Sequence, residues 1–472
     1  MTTISTGRVS GTTGAGVTSY LGIPYAKAPF GEHRLAAPVP ADPWEGTFEA
    51  TRFGPLPPQP PIFPGAPEWR AADGLDCLSV NVWTPGGDAS GLPVMVWIYG
   101  GAYWTGGSSY PEYDGTRLAG HGVVVVTFNH RIGFEGYAHV DGAPDNRALL
   151  DIVAALRWVR DNAAAFGGDP GNVTVFGESA GAGAVACLLA MPSAAGLFRR
   201  AIAQSVPVMV HTPAMAARLG EAIIARAGGS PYDREPGDMV AAASAFAAEE
   251  LTGRPDVWGP LALGGIPFAP VVDGEVLPDT PWHALADGAS SDVELVVGYN
   301  RDEFALFHAM SGGRGADLGR ALKWLAPQGA DVVYRTAHPE TDPYLEVMSD
   351  WLFRMPSALL ADAHTGPTFV YELAWAPGPM GACHALDVPL TFGNLDTQLA
   401  GMLFAGSPDA EGLSLQFRTA WTRFAATGDP GWPVYEPVTA ITHVFDVEPS
   451  DVADPEGDSR ALWSERGIEA MD

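Results

Sequence analysis

The sequence is poor in cysteine, and it lacks both a long apolar run and an apolar leader. Its three cysteines, Cys77, Cys187 and Cys383, are odd in number and do not have the spacing of metal ligands. We therefore expect free thiols in a reducing compartment. No apolar run is long enough to cross a bilayer. The opening residues MTTISTGRVSGTTGAG contain neither a basic nor an apolar region typical of a signal peptide. These absences predict a cytoplasmic protein without a membrane partner.

Positive charge is also scarce. The chain has 26 lysines and arginines against 55 acidic residues, a formal net charge of −29, and its only lysines are Lys27 and Lys323. This balance argues against nucleic acid and anionic membranes as partners. It leaves open whether the surface simply repels its own copies or also steers cationic substrates. The preference for arginine and alanine over lysine is typical of a high-GC bacterial gene.

Segments typical of buried strands alternate with helical segments along most of the chain. The segment DIVAALRWVRDNAAAF (151–166) has apolar residues at helical spacing. Strands that alternate with helices form a parallel sheet covered on both faces, so the sequence predicts an α/β fold with a large, mostly parallel sheet. The predicted strands are VMVWIY (94–99), VVVVTF (123–128), VTVFG (173–177), RRAIAQSV (199–206), ELVVGY (294–299) and TFVYEL (368–373).

No internal repeat and no block of charge marks a domain boundary, so residues 1–472 are predicted to form one domain. Two mostly helical stretches, residues 213–253 and 308–364, fall between predicted strands and are interpreted as insertions that cap the core. The proline-rich segment GPLPPQPPIFPGAP (54–67) is interpreted as a loop ordered by packing.

A serine lies between two glycines in VTVFGESAGAGAVACLLA (173–190), where a predicted strand runs into a helix. A G-x-S-x-G sequence at such a junction favours a sharp turn that lifts the serine oxygen clear of the sheet. The flanking positions must be small because other chain segments pass close by. The helix N-terminus stabilises negative charge that develops there. We therefore predict that Ser179 is a nucleophile.

A serine hydroxyl needs a general base, and in this architecture the histidine follows the nucleophile and the acid in chain order. His384 lies in GACHALDVPL, after the strand TFVYEL and a glycine-rich turn, and it fits this position. His364 precedes that strand and His443 lies within the later strand ITHVFDV, so both are interpreted as structural.

The acid of the triad should follow a strand that lies between the nucleophile and the histidine. The segment ELVVGYNRDEFALF supplies Asp302 and Glu303 directly after a predicted strand. Chemistry alone does not choose between these two carboxylates.

Catalysis by a serine nucleophile also needs donors for the oxyanion. Such donors come from the amide that follows the nucleophile and from a glycine-rich loop after an earlier strand. The segment VMVWIYGGAYWTGG has this form, with Gly100, Gly101 and Ala102 at the end of a predicted strand. We therefore predict that this segment is the oxyanion loop.

Taken together, these segments resemble the type B carboxylesterase family, the cholinesterase-like branch of the α/β hydrolases. The resemblance extends over nearly the whole chain and implies the α/β-hydrolase fold, with helices on both faces of the sheet and helical insertions over the active site. The blocks that carry it are YLGIPYAKAPFGEHRL, DCLSVNVWTP, PVMVWIYGGAYWTGG, FNHRIGFEGY, DNRALLDIVAALRWVRDNAAAFGGDPGNVTVFGESAGA, LFRRAIAQS, VVGYNRDE, ACHALDVP and AWTRFAATGDPGWPVY.

The resemblance implies roles for particular residues. The glutamate of the family's N-x-D-E segment is the triad acid, which favours Glu303. The oxyanion donors are implied to be the amides of Gly101, Ala102 and Ala180. Glu178 resembles a buried glutamate that organises polar groups near the histidine.

The chain departs from the family pattern at several positions. Asp387 stands where the family usually has glutamate, and Cys77 has no upstream cysteine with which to form the family's disulfide. Phe304 replaces a common glycine, which predicts a narrower acyl or alcohol pocket. The aromatic residues predicted to line that pocket are Tyr103, Trp104, Phe304 and Phe307.

These features predict a serine carboxylesterase that hydrolyses small to medium apolar esters, needs no metal or other cofactor, and works as a monomer or homodimer. Cleavage of amides, carbamates or choline esters by the same triad stays open. The rival hypothesis is a non-catalytic binding module of the same fold. Such modules typically lack a triad residue, whereas this chain retains Ser179, Glu303 and His384.

Overall fold

The computed structural model describes residues 1–61, 65–86, 89–337, 341–404 and 406–472. Part of the predicted loop 54–67 and part of the predicted insertion 308–364 therefore lie outside the described residues.

Two sheets are present in the described residues. The larger has 11 strands in the order β14-β13-β12-β11-β10-β9-β7-β8-β6-β4-β3, and the smaller has the order β1-β2-β5. The strands are β1 (Thr2–Ile4), β2 (Gly7–Ser10), β3 (Thr12–Gly14), β4 (Val17–Pro24), β5 (Thr47–Glu49), β6 (Ser79–Pro85), β7 (Leu92–Ile98), β8 (Val124–Phe128), β9 (Gly168–Glu178), β10 (Arg200–Gln204), β11 (Glu294–Asn300), β12 (Thr368–Leu373), β13 (Ile441–Phe445) and β14 (Ser450–Ala453).

Helices lie between the strands. They are α1 (Thr116–Ala119), α2 (Gly133–Tyr137), α3 (Arg147–Asn162), α4 (Ala180–Ala190), α5 (Pro213–Ala227), α6 (Pro236–Phe246), α7 (Pro255–Trp258), α8 (Leu261–Gly264), α9 (Pro281–Ala286), α10 (Ala305–Ser311), α11 (Leu318–Trp324), α12 (Ala330–Ala337), α13 (Pro343–Ser349), α14 (Met355–Ala363), α15 (Asp387–Phe392), α16 (Gln398–Phe404), α17 (Ala410–Thr427) and α18 (Gly457–Ser464). Two π-helical turns, Ala247–Leu251 and Asp350–Arg354, extend α6 and join α13 to α14.

The centre of the large sheet is parallel from β8 through β7, β9, β10, β11 and β12 to β13. Antiparallel pairs occur only toward its two edges within the described residues. Every residue of β8, β10 and β12 is buried. Apolar strands without alternation are typical of a sheet covered on both faces. The predicted α/β fold with a mostly parallel sheet is confirmed.

The register of the central strands brings their carboxyl ends together. Ile98 at the end of β7 and Ala203 in β10 both lie opposite Gly177 in β9. Gln204 lies opposite Glu178, the last residue of β9. The loops after these strands therefore converge at the carboxyl ends of the parallel strands, where ligands bind in open α/β sheets.

Helix α3 begins one turn earlier than the predicted range 151–166. Asn146 has a left-handed backbone (φ 55°), and the guanidinium of Arg147 donates to the carbonyls of Phe134, Glu135, Ala138 and Pro144. These bonds let the helix start at a buried arginine, which the local pattern does not indicate. The predicted last residues, 163–166, form a 3-10 turn instead.

The stretch 213–253 contains α5, α6 and a π-helical turn, and the described part of 308–364 contains α11 to α14. Helix α14 contacts both α9 and β11, so the second stretch is attached to the core of the molecule. All three cysteines are buried and unpaired.

Candidate active site

Ser179 occupies the turn between β9 and α4. Its backbone has φ 56° and ψ −125°, a strained conformation for a residue with a Cβ. The turn is crowded: a Cβ on Gly177 would lie 2.7 Å from the carbonyl carbon of Gly181, and one on Gly181 would lie 2.0 Å from the carbonyl oxygen of Ile98. Both flanking positions therefore require glycine.

His384 and Glu303 meet beside this turn. The Nδ1 atom of His384 lies 2.6 Å from Oε2 of Glu303, and both side chains are buried. Glu303 is held in place because its Oε1 accepts a hydrogen bond from the backbone amide of Asn300 at 2.9 Å. A buried carboxylate on Nδ1 fixes the tautomer of the imidazole and leaves Nε2 to act as a base.

Asp302, the alternative acid, points elsewhere. Its Oδ2 accepts a hydrogen bond from the amide of Ala382 at 2.8 Å, so it braces the loop that carries His384. The two alternative histidines make hydrogen bonds to other residues. His364 bonds to Thr368 and to the carbonyl of Ser290, and His443 bonds to Asp451.

The loop after β7 packs against Ser179. A Cβ on Gly100 would lie 3.1 Å from Cβ of Ser179. Ala102 and Tyr103 both have left-handed backbones, with φ of 56° and 59°. The carbonyl of Gly101 turns back to accept hydrogen bonds from the amides of Trp104 and Thr105, at 3.0 and 2.9 Å.

This geometry leaves three amides available. Within the part of the chain that the structure describes, the amides of Gly101, Ala102 and Ala180 donate to no protein acceptor. Ala180 is the first residue of α4, where the helix leaves its own N–H groups unpaired. Unpaired amides beside a serine turn are the donors that an oxyanion requires.

Comparisons with known proteins give the family of the chain. The model of the carboxylesterase family matches residues 1–324 and 331–448. The chain belongs to the carboxylesterase family. It is 39% identical to the para-nitrobenzyl esterase of Bacillus subtilis (strain 168), with 96% of each chain covered. It is 32% identical to the phenmedipham hydrolase of Pseudarthrobacter oxydans, with 93% of each covered.

Solved structures of the family have the same fold. A para-nitrobenzyl esterase structure superposes with a TM-score of 0.87 at 36% identity and covers 98% of both chains. A carboxylesterase of Geobacillus stearothermophilus gives a TM-score of 0.85 at 35% identity, with 98% and 99% covered. This chain is therefore a carboxylic ester hydrolase with the α/β-hydrolase fold.

In this carboxylesterase a second carboxylate, that of Glu178, faces His384. Oε1 of Glu178 lies 3.1 Å from Nε2 of His384. Burial raises the pKa of Glu178 to about 8, although the neighbouring imidazolium opposes the shift. Burial lowers the pKa of His384, but the carboxylates of Glu178 and Glu303 outweigh burial and raise that pKa to about 9. Both shifts favour proton binding by this pair of side chains at neutral pH.

Asp387 is a further buried carboxyl near His384. Its Oδ2 accepts hydrogen bonds from Nε2 of Gln204 at 2.7 Å and from the hydroxyl of Tyr371 at 3.0 Å. Burial raises the pKa of Asp387, and these two donors oppose that shift. Through Gln204 the network connects the strand beside β9 to the helix that follows His384.

Aromatic rings cover the other side of the imidazole. Phe353 stacks on His384 with ring centroids 4.1 Å apart and 24° between the planes, and Phe307 lies at 5.1 Å. Phe304 contacts Phe307 at 5.5 Å. The sequence reasoning missed Phe353, because nothing local in the insertion 308–364 connects this residue to the histidine.

The other two predicted pocket residues are in different surroundings. Tyr103 is only 3% exposed and packs edge-on against Tyr137, with ring centroids 5.1 Å apart. Trp104 is half-buried and contacts Phe268 at 5.8 Å. Their place in a substrate pocket stays a prediction.

In the described ranges, no group of three or more His, Cys, Asp and Glu side chains is arranged to hold a metal ion. Among the described helices, none is both long and apolar enough to cross a membrane.

Proposed function

We propose that Ser179, His384 and Glu303 are the catalytic triad with which this carboxylesterase hydrolyses small to medium apolar esters. The buried 2.6 Å contact between His384 and Glu303 is the observation that carries the proposal. Nε2 of the same histidine lies 3.1 Å from Oε1 of Glu178, the residue that precedes the serine in its strained turn. A base oriented by a carboxylate next to such a serine is what acyl transfer requires.

The reaction proceeds in two stages. His384 takes the proton of Ser179 through Nε2, and the serine oxygen attacks the ester carbonyl. The same histidine then protonates the departing alcohol, which leaves an acyl-enzyme. Water, activated by His384, attacks the acyl carbon and releases the acid. Throughout, Glu303 holds the imidazole in one tautomer and stabilises the imidazolium that forms.

The oxyanion of each tetrahedral intermediate is bound by the amides of Gly101, Ala102 and Ala180. The absence of protein acceptors for these amides within the described residues supports this role. Loss of one such donor costs about 10²–10³ in rate in related chemistry. Because the donors are backbone groups, the loop conformation and not a side chain determines their direction.

The substrate proposal follows from the surroundings of His384. Phe304, Phe307 and Phe353 give the histidine side of the site an apolar wall, which favours apolar ester groups. We propose that the helical stretches 213–253 and 308–364 cap the site. Three buried, unpaired cysteines support a reducing compartment such as the cytoplasm.

Hydrolysis of p-nitrophenyl butyrate by wild type and Ser179→Ala tests the nucleophile. We expect the variant, matched for folding by circular dichroism, to lose about 10⁵- to 10⁶-fold in kcat. It should also resist covalent labelling by an organophosphate. Retained turnover in the variant would refute the assignment of Ser179.

The neighbouring acids supply a matched pair for the triad acid. Glu303→Gln should lower kcat by about 10⁴-fold, because the imidazole loses its orienting carboxylate. Asp302→Asn makes the same chemical change one residue away and should lower kcat far less. Equal losses in the two variants would contradict the proposed role of Glu303.

A further inference from the structure

The side-chain amide of Gln59 pairs with a backbone segment as a neighbouring strand would. Its Nε2 donates to the carbonyl of Gly106 at 2.7 Å, and its Oε1 accepts from the amide of Gly106 at 2.8 Å. Nε2 also donates to the carbonyl of Pro57 at 3.1 Å, and Gln59 is only 4% exposed. Both backbone polar groups of Gly106 are thus satisfied by one buried side chain.

Gly106 closes the loop that carries two of the proposed oxyanion donors. A Cβ on Gly106 would lie 2.6 Å from the carbonyl oxygen of Gly100, so the end of the loop packs against its beginning. Gly106 also has φ 118°, which a residue with a Cβ rarely adopts. Holding Gly106 therefore holds the start of the loop at Gly100, next to Ser179.

The loop between these glycines needs restraint from outside. Ala102 and Tyr103 are consecutive left-handed residues, and such backbone persists only where surrounding contacts fix it. On one side, the amide of Gly133 donates to the carbonyl of Tyr103 at 2.7 Å. Gln59 supplies two hydrogen bonds at the other end.

We infer that Gln59 is a positioning residue for the oxyanion hole, which it orients from the proline-rich loop without touching substrate. The inference rests on the proposed function, because it assumes that Gly101 and Ala102 bind the oxyanion. Without Gln59, the polar groups of Gly106 lose their buried partner, and the loop can relax toward unstrained backbone. The amides would then point away from the oxyanion while the triad stays intact.

The first test is Gln59→Leu in the full chain, with p-nitrophenyl butyrate as substrate. We expect kcat to fall by about 10- to 100-fold, because small misplacement of oxyanion donors costs about that much. KM should stay within about twofold. The inhibition constant of a butyl trifluoromethyl ketone, which forms a tetrahedral adduct with the serine, should weaken by the same factor as kcat/KM.

The matched control is Gln416→Leu. Gln416 also donates from Nε2 to a backbone carbonyl, that of Asp446 at 3.2 Å, on α17. Gln416→Leu loses one bond of the same kind outside the loop, so kcat and inhibitor affinity should stay at the wild-type values.

Gln59→Glu provides a second test if the Gln59→Leu protein does not fold. A neutral carboxylic acid can still donate to the carbonyl of Gly106 and accept from its amide, and it lacks only the second donor that reaches Pro57. A carboxylate has no donor and repels the carbonyl of Gly106. The activity of this variant relative to wild type should therefore rise as the pH is lowered from 8 to 6.

Four results separate the possibilities. An inactive wild type would overturn the proposed function itself. An active wild type with unchanged kcat and inhibitor affinity in Gln59→Leu would overturn the role of Gln59 alone. A pH-independent activity ratio for Gln59→Glu would overturn it as well. Lower kcat and weaker inhibition in a Gln59→Leu protein that is folded at the assay temperature would support it.

Discussion

The carboxylate of Glu178 should control the pH at which the histidine becomes a base. Its Oε1 lies 3.1 Å from Nε2 of His384, the atom that must be unprotonated to accept the serine proton. The carboxylate stabilises the imidazolium and raises the pKa of His384. Glu178→Gln removes this charge while it preserves the shape of the side chain, so the pKa of His384 should fall.

The distance between Glu178 and His384 sets the size of the expected pKa shift. Two unit charges 3.1 Å apart attract by about 5 kcal/mol at an effective dielectric constant of about 20, or about four pKa units as an upper bound. The observed shift should be smaller, because burial raises the pKa of the Glu178 carboxyl to about 8. The carboxyl therefore carries its full negative charge only at pH values above this pKa. We expect a downward shift of about one to two units, within the range found for opposite charges at this distance.

The assay is the pH dependence of kcat/KM for p-nitrophenyl butyrate, which reports the titration of the free enzyme. The acidic limb of the profile belongs to the pair of His384 and Glu178 and should move to lower pH in the variant. Glu112→Gln replaces another buried carboxyl outside the site and should leave the limb in place. An unmoved limb, or one that moves to higher pH, would refute the reasoning.

Two further substitutions test the surroundings of the triad. Phe353→Leu removes the ring stacked 4.1 Å from His384. Since an aromatic face stabilises a cation by about 0.5–2 kcal/mol, the pKa from the kcat/KM profile should fall by about 0.4 to 1.5 units, and Phe353→Tyr should restore it. Gly181→Ala places a Cβ 2.0 Å from the carbonyl oxygen of Ile98 and should abolish activity and lower the melting temperature by several degrees. Gly401→Ala meets no atom within 4 Å and should leave both unchanged. An active, stable Gly181→Ala protein would show that the turn is less crowded than described.

Local patterns in the sequence were sufficient for the architecture. Unbroken apolar runs predicted the central strands, because a strand buried on both faces has no polar alternation. Five of the six predicted strands match their observed bounds to within two residues: β7, β8, β10, β11 and β12. Strand β9 starts earlier, at Gly168, since its first residues are partly exposed and polar.

The choice between the two candidate acids depended on the turn after β11. Asp302 and Glu303 are adjacent in the sequence, and local chemistry treats them alike. The turn directs the side chain of Asp302 to the amide of Ala382 and that of Glu303 to His384. The direction of each side chain depends on the path of a loop 80 residues away.

By itself, the sequence determined the parallel character of the central sheet and the serine turn with its two obligatory glycines, and it supplied the candidates for serine, acid and histidine. These properties can be predicted from short segments, because they depend on the spacing of apolar residues and on the steric limits of a turn. Only the tertiary structure decided that Phe353 covers His384 and that Gln59 binds both backbone polar groups of Gly106. Those contacts join residues far apart in the chain, so no local pattern specifies them, and they form only when the register of the sheet brings the loops together.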